Sequence, residues 1–122
     1  MFESVIWSLF MTFIDTSVIS EVKQDMEEEY PDFIACYLDH AAGFMQFCGA
    51  AIAATDSDAL HFQAHALKSS SAYVGAKELT ALAAIMEKLG ADGNTDGAAD
   101  LNEQAAEIFA TVSAELQATL DD

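Results

Sequence analysis

The residues around His65 combine side chains that suit phosphoryl chemistry. His65 is followed by Lys68 three residues later and then by three consecutive serines, Ser69–Ser71, in the segment HALKSSS. A neutral imidazole is nucleophilic near neutral pH and can carry a phosphoryl group on a ring nitrogen. A lysine one helical turn away can bring positive charge to that group. The segment therefore indicates a phosphoryl-accepting histidine.

The histidine and the lysine lie on one face of a predicted helix, which begins at Asp56 or Ser57 and breaks at Gly75. At about 100° per residue, that face extends roughly 60° to either side of His65. Its other members are Asp58, His61, Phe62, Lys68, Ser69 and Ala72. The residues that point toward the expected core are Leu60, Gln63, Leu67, Ser70 and Val74. Small side chains at 69 and 72 leave the imidazole accessible to a partner, and the ring at 62 places apolar surface beside it.

The sequence lacks the groups that would make a phosphoryl donor. It contains no glycine-rich phosphate-binding loop and no obvious carboxylate pair dedicated to Mg²⁺, features on which ATP-dependent phosphoryl transfer depends. We therefore expect a phosphocarrier with no cofactor and no ATP-dependent catalysis of its own, whose partner brings the catalytic apparatus.

A metal site is the main alternative use of these histidines. His61 and His65 are four residues apart, a helical spacing that can hold zinc, and Asp58 lies on the same side. A third strong ligand is not obvious, and Lys68 would repel a cation. We therefore predict no metal site. The third histidine, His40, lies in an apolar stripe and is predicted to be a core or boundary residue.

The charge of the chain limits its partners. The formal net charge is −17, with four lysines and no arginine. Such acidity opposes binding to nucleic acid and to anionic membranes, and its ordinary consequence is solubility. Three of the four lysines fall within residues 68–88, after the histidine.

Cys36 and Cys48 lie in one predicted helix about 18 Å apart, which is beyond disulfide reach. We expect two buried thiols in a reducing compartment, the cytoplasm.

Residues 1–12 are apolar, but they lack the basic start of a signal peptide and, with Glu3, fall short of a membrane span of about 20 residues. They are predicted to form an apolar extension or extra helix on the domain, or a dimer contact, without membrane insertion.

Hydrophobic periodicity predicts an all-α chain with five helices and no strand. The helices begin at Asp15 or Thr16, near Pro31, at Asp56 or Ser57, after Gly75 and after the loop 90–97. The second helix has the predicted apolar stripe Phe33, Tyr37, His40, Phe44, Phe47 and Ala51. The fourth has Leu79, Leu82, Ile85, Met86 and Leu89 and ends at Gly90, as a C-terminal glycine. Long helices with short loops form an antiparallel bundle, so residues 13–122 are predicted to be a single domain.

The segment AHALKSSSAYVGA, residues 64–76, resembles the signature of histidine phosphotransfer (HPt) domains. That signature has a leucine two residues after the histidine, a lysine at three, small residues at four to six and a glycine at ten. ELTALAAIMEKLG, which follows, is also similar to the family's next helix, and the resemblance covers roughly residues 13–120. Ser69 is a departure, because glycine is most common there, but serine is still small.

The resemblance implies an up-down four-helix bundle of the last four helices, with the first helix capping one end. It implies that His65 takes a phosphoryl group from a receiver-domain aspartate and passes it to a second receiver. It also implies that the receiver supplies the Mg²⁺. Lys68 would steady the phosphoryl oxygens, and Glu87 would accept a hydrogen bond from Nδ1–H, so that Nε2 is the nucleophile.

The resemblance also implies a partner-binding surface around the histidine, formed by Ile14, Val18, His61, Phe62, Ser69 and Ala72. Gly75, Ser70 and Ser71 are predicted to be structural, with both serine hydroxyls bonded to carbonyls of the preceding turn. The chain is expected to be a monomer unless residues 1–12 pair two copies. Two alternatives stay open, a fragment of a larger hybrid sensor kinase and a helical interaction module that is not phosphorylated.

Overall fold

The computed structural model describes residues 13–121, which contain five α-helices, two short 3₁₀ segments and no strand. The helices are α1 (Thr16–Met26), α2 (Tyr30–Ala53), α3 (Ser57–Tyr73), α4 (Lys77–Ala91) and α5 (Ala98–Ala118). The 3₁₀ segments are Glu27–Glu29, between α1 and α2, and Thr119–Asp121, after α5. None of the helices in this part of the chain is long and apolar enough to cross a membrane.

Helices α2 to α5 form an up-down antiparallel bundle, as predicted. The start of α2 meets the end of α3, where the rings of Phe33 and Tyr73 are 5.5 Å apart. The end of α2 meets the start of α5, where Asn102 donates to the carbonyl of Met45. The most extensive packing is between α3 and α4. The relative position of these two helices, and of the side chains between them, is therefore well fixed.

Helices α1 and α3 begin where the sequence places capping residues. The Asp15 carboxylate accepts a hydrogen bond from the Ser17 amide, and Asp56 accepts one from the Ala59 amide, which satisfies donors that the helix itself cannot. The Ser17 hydrogen bond, with Lys77 at 3.1 Å, lowers the pKa of Asp15 to about 2. The predicted starts of both helices are therefore confirmed.

The segment before α1 is fastened across the end of the bundle. The Glu115 carboxylate accepts hydrogen bonds from the amides of Phe13 and Ile14, and the Asp15 amide donates to the Gly75 carbonyl. A Cβ at Gly75 would lie 3.1 Å from the Cβ atoms of Asp15 and Val18, and its φ is +75°. Glycine is favoured at this turn because the positive φ strains any other residue and because a Cβ would meet tight contacts.

The buried face of α2 agrees only in part with the predicted stripe, since Tyr37 and Ala51 are buried as predicted. Its buried residues are Tyr30, Ile34, Tyr37, Ala41, Met45, Cys48 and Ala51. His40 and Phe47 are exposed, and so is Cys36, so their predicted burial is wrong. Phe33 and Phe44 are only partly buried at the edge of the seam, where small and flexible side chains let the neighbouring helices approach. Burial of Cys48 is confirmed, and it raises the pKa of that thiol to about 11.

The end of α4 also differs from the prediction. The helix continues past Gly90 to Ala91, and Gly93 is the residue that takes the left-handed conformation, with φ +75°. Gly90 is instead a buried helical residue against α3. Ile85, predicted to be in the core, is 49% exposed. The prediction for residues 1–12 lies outside the described residues.

Candidate functional site

His65 lies on the outer face of α3, and its side chain is 60% exposed. Its ring is held from α4, because Nδ1 is 2.5 Å from Oε2 of Glu87. An ionised carboxylate only accepts hydrogen bonds, so Nδ1 carries the proton and donates it. A neutral imidazole protonated at Nδ1 has its lone pair on Nε2. The contact therefore selects Nε2 as the basic nitrogen of the ring.

Glu87 joins the histidine to the lysine. Its second oxygen, Oε1, is 2.5 Å from the ammonium nitrogen of Lys68. The side chain of Glu87 is only 16% exposed, whereas Lys68 keeps 34% of its side chain in solvent. The hydrogen bond from Lys68, with a smaller contribution from His65, holds the pKa of Glu87 below its ordinary value. Glu87 is therefore a carboxylate at neutral pH, shared between an imidazole and an ammonium group.

The Nε2 atom of His65 has no hydrogen-bond partner among residues 13–121. The lone pair of this nitrogen is consequently available to an incoming electrophile. Because the ring is fixed at Nδ1 and open at Nε2, the arrangement suits nucleophilic attack by a neutral imidazole.

The surroundings of His65 agree with the predicted face, with one exception. Phe62 is 70% exposed, His61, Ser69 and Ala72 are exposed, and Val18 is half-buried. Ile14 is a core residue with only 6% of its surface exposed, because the segment before α1 is fastened against the bundle by Glu115. Ile14 is therefore removed from the predicted partner-binding surface.

The serines after Lys68 have separate roles in packing. The Ser70 hydroxyl donates to the Ala66 carbonyl at 2.9 Å, as predicted. Ser71 is fully buried and bonds the Tyr37 hydroxyl at 2.9 Å instead of a carbonyl of its own helix. Burial raises the pKa of Tyr37 to about 12. This link between α2 and α3 was not predicted from the sequence, although Tyr37 lies on the predicted apolar stripe of its helix.

The described residues offer no group of three or more histidine, cysteine or carboxylate side chains that could hold a metal ion. His61, the neighbour considered for such a site, has Nδ1 3.2 Å from the Glu87 carbonyl oxygen. Both histidines of the candidate metal pair thus make hydrogen bonds to the same residue of α4.

Comparison with known proteins agrees with the geometry. The Hpt domain family matches residues 32–122 of the chain, and the chain therefore belongs to this family of histidine phosphotransfer proteins, which act in phosphorelays. A similar solved structure is that of histidine-containing phosphotransfer protein B (HptB) from Pseudomonas aeruginosa PAO1. The TM-score is 0.85 at 27% sequence identity, and the match covers 89% of this chain and 95% of that one. Comparison with curated proteins gives no match.

Proposed function

We propose that His65 is the residue that carries the phosphoryl group, taking it from an aspartyl phosphate of one receiver domain and passing it to the aspartate of another. The observation that carries this proposal is the state of the imidazole, which is held at Nδ1 by Glu87 and has an unpartnered Nε2 on an exposed face. A buried histidine, or one bonded through both nitrogens, would be unable to reach a phosphorus atom on a partner.

The transfer step needs no external base, because Nε2 carries no proton before it attacks. The Nε2 lone pair attacks phosphorus, the new N–P bond forms, and the P–O bond to the receiver's aspartate breaks with its electron pair remaining on that carboxylate. Nδ1 keeps its proton, so the phosphorylated ring becomes an imidazolium. The Glu87 carboxylate, 2.5 Å away, stabilises the positive charge that develops on the ring. The same steps in reverse pass the phosphoryl group to a second receiver. A P–O bond forms to the aspartate of that receiver, and the N–P bond breaks with its electron pair remaining on Nε2.

Lys68 is proposed to balance the charge of the phosphoryl oxygens. Its ammonium group contacts Glu87, and its side chain as a whole is one-third exposed. A lysine side chain is flexible and its charge is concentrated on one nitrogen, which allows it to turn toward a phosphoryl group on Nε2. Mg²⁺ and the acidic pocket that binds it are assigned to the receiver, as is the rest of the catalytic apparatus.

The docking surface is proposed to surround His65 with small and apolar side chains. Phe62 supplies a largely exposed ring, while Ser69 and Ala72 keep the approach to the imidazole open. Val18, from α1, extends this surface across the turn at Gly75.

Both cysteines of the chain are free thiols, which supports a reducing compartment, the cytoplasm, as the place where transfer occurs.

The test is transfer from a phosphorylated receiver, followed as acid-labile and base-stable label. Wild-type protein should become labelled, and His65→Gln should not, with its helical circular dichroism unchanged. His40→Gln is the matched control, because His40 is also an exposed histidine but lies on α2 against Phe44. Label that persists in His65→Gln, or a wild-type protein that takes label from no receiver, would contradict the proposal.

A further inference from the structure

Helices α3 and α4 touch backbone to backbone at one point near the site. A Cβ placed on Gly90 would lie 2.5 Å from the His61 amide nitrogen, 2.7 Å from the Ser57 carbonyl oxygen and 2.8 Å from the His61 Cα. These are backbone atoms, so no rotation of a side chain can make room. Any residue other than glycine at this position must therefore separate the last turn of α4 from the first turns of α3.

A hydrogen bond adjoins this contact. Nδ1 of His61 lies 3.2 Å from the carbonyl oxygen of Glu87, and because a carbonyl only accepts, the imidazole donates. Glu87 is one helical turn before Gly90 on α4, and His61 is one turn before His65 on α3. Three contacts therefore follow one another along the α3–α4 interface. They are the backbone contact at Gly90, the hydrogen bond from His61 to the Glu87 carbonyl, and the bonds of the Glu87 carboxylate to His65 and Lys68.

We propose that Gly90 and His61 are positioning residues for the phosphoryl-accepting histidine. Gly90 sets the separation of α3 and α4, and His61 sets their register along the helix axes. Both act through Glu87, whose short side chain must reach the ring of His65 and the ammonium of Lys68 at 2.5 Å each. A carboxylate that bridges two groups at this distance tolerates little displacement, so the spacing of the helix backbones determines whether His65 is held as the Nδ1–H tautomer.

This inference rests on the proposed role of His65 in transfer, but its first readout does not depend on transfer. The ¹⁵N chemical shifts of the His65 imidazole report its tautomer, measured at about pH 8.5, where an ordinary histidine is neutral. We expect the Nδ1–H form to predominate in the wild type. In Gly90→Ala we expect a shift toward the Nε2–H form, because α4 moves away and Glu87 loses its hold on the ring.

The matched control is Gly43→Ala. Gly43 is also a helical glycine, on α2, but a Cβ there meets no atom within 4 Å. Both substitutions give the same gain in helix propensity, so a difference between them reports the contact with α3. Gly43→Ala should leave the His65 spectrum and the transfer rate as in the wild type. Gly90→Ala should slow transfer at least about tenfold, since a misplacement of about 1 Å can cost about a hundredfold.

The transfer rate of the double variant distinguishes a positioning role of Gly90 from a general loss of packing. In a Glu87→Ala background, Gly90→Ala should slow transfer no further, because the side chain through which it acts is already gone. An equal additional loss in that background would overturn the proposal. So would a Gly90→Ala variant with the wild-type tautomer, whatever its rate, because its effect would then not pass through the Glu87 contact.

Substitutions of His61 keep the test decisive if Gly90→Ala does not fold. His61→Ala removes the donor to the Glu87 carbonyl and should move His65 toward the Nε2–H form. His61→Asn places an amide nitrogen where Nδ1 was and should restore most of the Nδ1–H signal. A wild-type tautomer in His61→Ala would overturn the role of His61. If the wild type shows the expected tautomer but accepts no phosphoryl group, the proposed function fails and the positioning by Gly90 and His61 stands.

Discussion

The Glu87 carboxylate and the His65 imidazole are 22 residues apart in the sequence, yet Oε2 of one lies 2.5 Å from Nδ1 of the other. The antiparallel pairing of α3 and α4 makes this contact, and Lys68 completes it from the other oxygen. One carboxylate thereby orients the ring, places the basic lone pair on Nε2 and holds the cation next to it.

Replacing Glu87 should slow phosphoryl transfer without unfolding the bundle. Glu87→Ala removes both contacts, and we expect a loss of about tenfold to hundredfold in rate, the size associated with a misplaced reacting group. Glu87→Gln keeps a carbonyl oxygen that can accept from Nδ1–H but loses the charge, so its loss should be smaller. Rapid-quench measurement with a phosphorylated receiver gives both rates. Equal, wild-type rates for the two variants would remove the role assigned to Glu87.

Lys68→Ala should impair transfer and shorten the lifetime of the phosphorylated protein. Among residues 13–121, Lys68 is the only lysine whose ammonium group contacts Glu87, and its loss leaves the phosphoryl oxygens without this positive charge. The charge-matched control is Lys88→Ala, since Lys88 forms an exposed ion pair with Asp92. Decay of label from isolated phosphoprotein measures the effect. If Lys68→Ala decays and transfers like Lys88→Ala, the lysine has no part in holding the group.

Phe62→Ala should weaken receiver binding while leaving the stability of the domain close to that of the wild type. The ring is 70% exposed, so its removal creates no cavity in the free protein, but it takes apolar surface from the proposed docking face. Ile85→Ala is a suitable control because Ile85 is also exposed and lies about 200° around α4 from Glu87. Titration of a receiver by calorimetry should show a several-fold larger Kd for Phe62→Ala alone. Similar affinities for both variants would place docking elsewhere.

The hydroxyl pair of Tyr37 and Ser71 should contribute measurably to stability. The oxygens are 2.9 Å apart in the core, and removing one partner leaves the other buried without a hydrogen bond, which costs about 1–3 kcal/mol. Tyr37→Phe and Ser71→Ala should each lower the free energy of unfolding by that amount, and the double variant by less than their sum. Ser70→Ala, which removes a bond within its own helix, should have a smaller effect. Urea unfolding of the four variants provides the comparison, and additive losses would show that the hydroxyls do not act as a pair.

Much of the fold was predictable because capping and breaking residues act locally. Asp15 and Asp56 cap the helices that the sequence assigns to them, and the turn at Gly75 has the predicted break. The buried side of α2 was predictable only in part: Tyr37 and Ala51 are buried as predicted, but Ala41 and Met45 are also buried, whereas His40 and Phe47 of the predicted stripe are exposed. Hydrophobicity does not distinguish the centre of a helix interface from its edge.

The site was predictable where neighbours in the sequence determine it. His65, Lys68 and Ser69 share one face of α3, as the helical period requires. Contacts that depend on the pairing of α3 with α4 were harder to predict. The resemblance to a family suggested Glu87 as a partner for the ring, but the ion pair of Lys68 with the same carboxylate follows from the distance between two helix axes. Gly90 appeared to be a helix terminator, and only its packing against His61 shows why a glycine is required.

The most direct test of the central claim is to determine which nitrogen of which residue is phosphorylated. Protein labelled by a phosphorylated receiver can be studied by ³¹P and ¹⁵N NMR at alkaline pH, where phosphohistidine persists. Phosphoryl transfer to an imidazole held at Nδ1 by Glu87 predicts a single phosphohistidine at His65, substituted on Nε2. A phosphoryl group on Nδ1 of His65, or on any other residue, would contradict it.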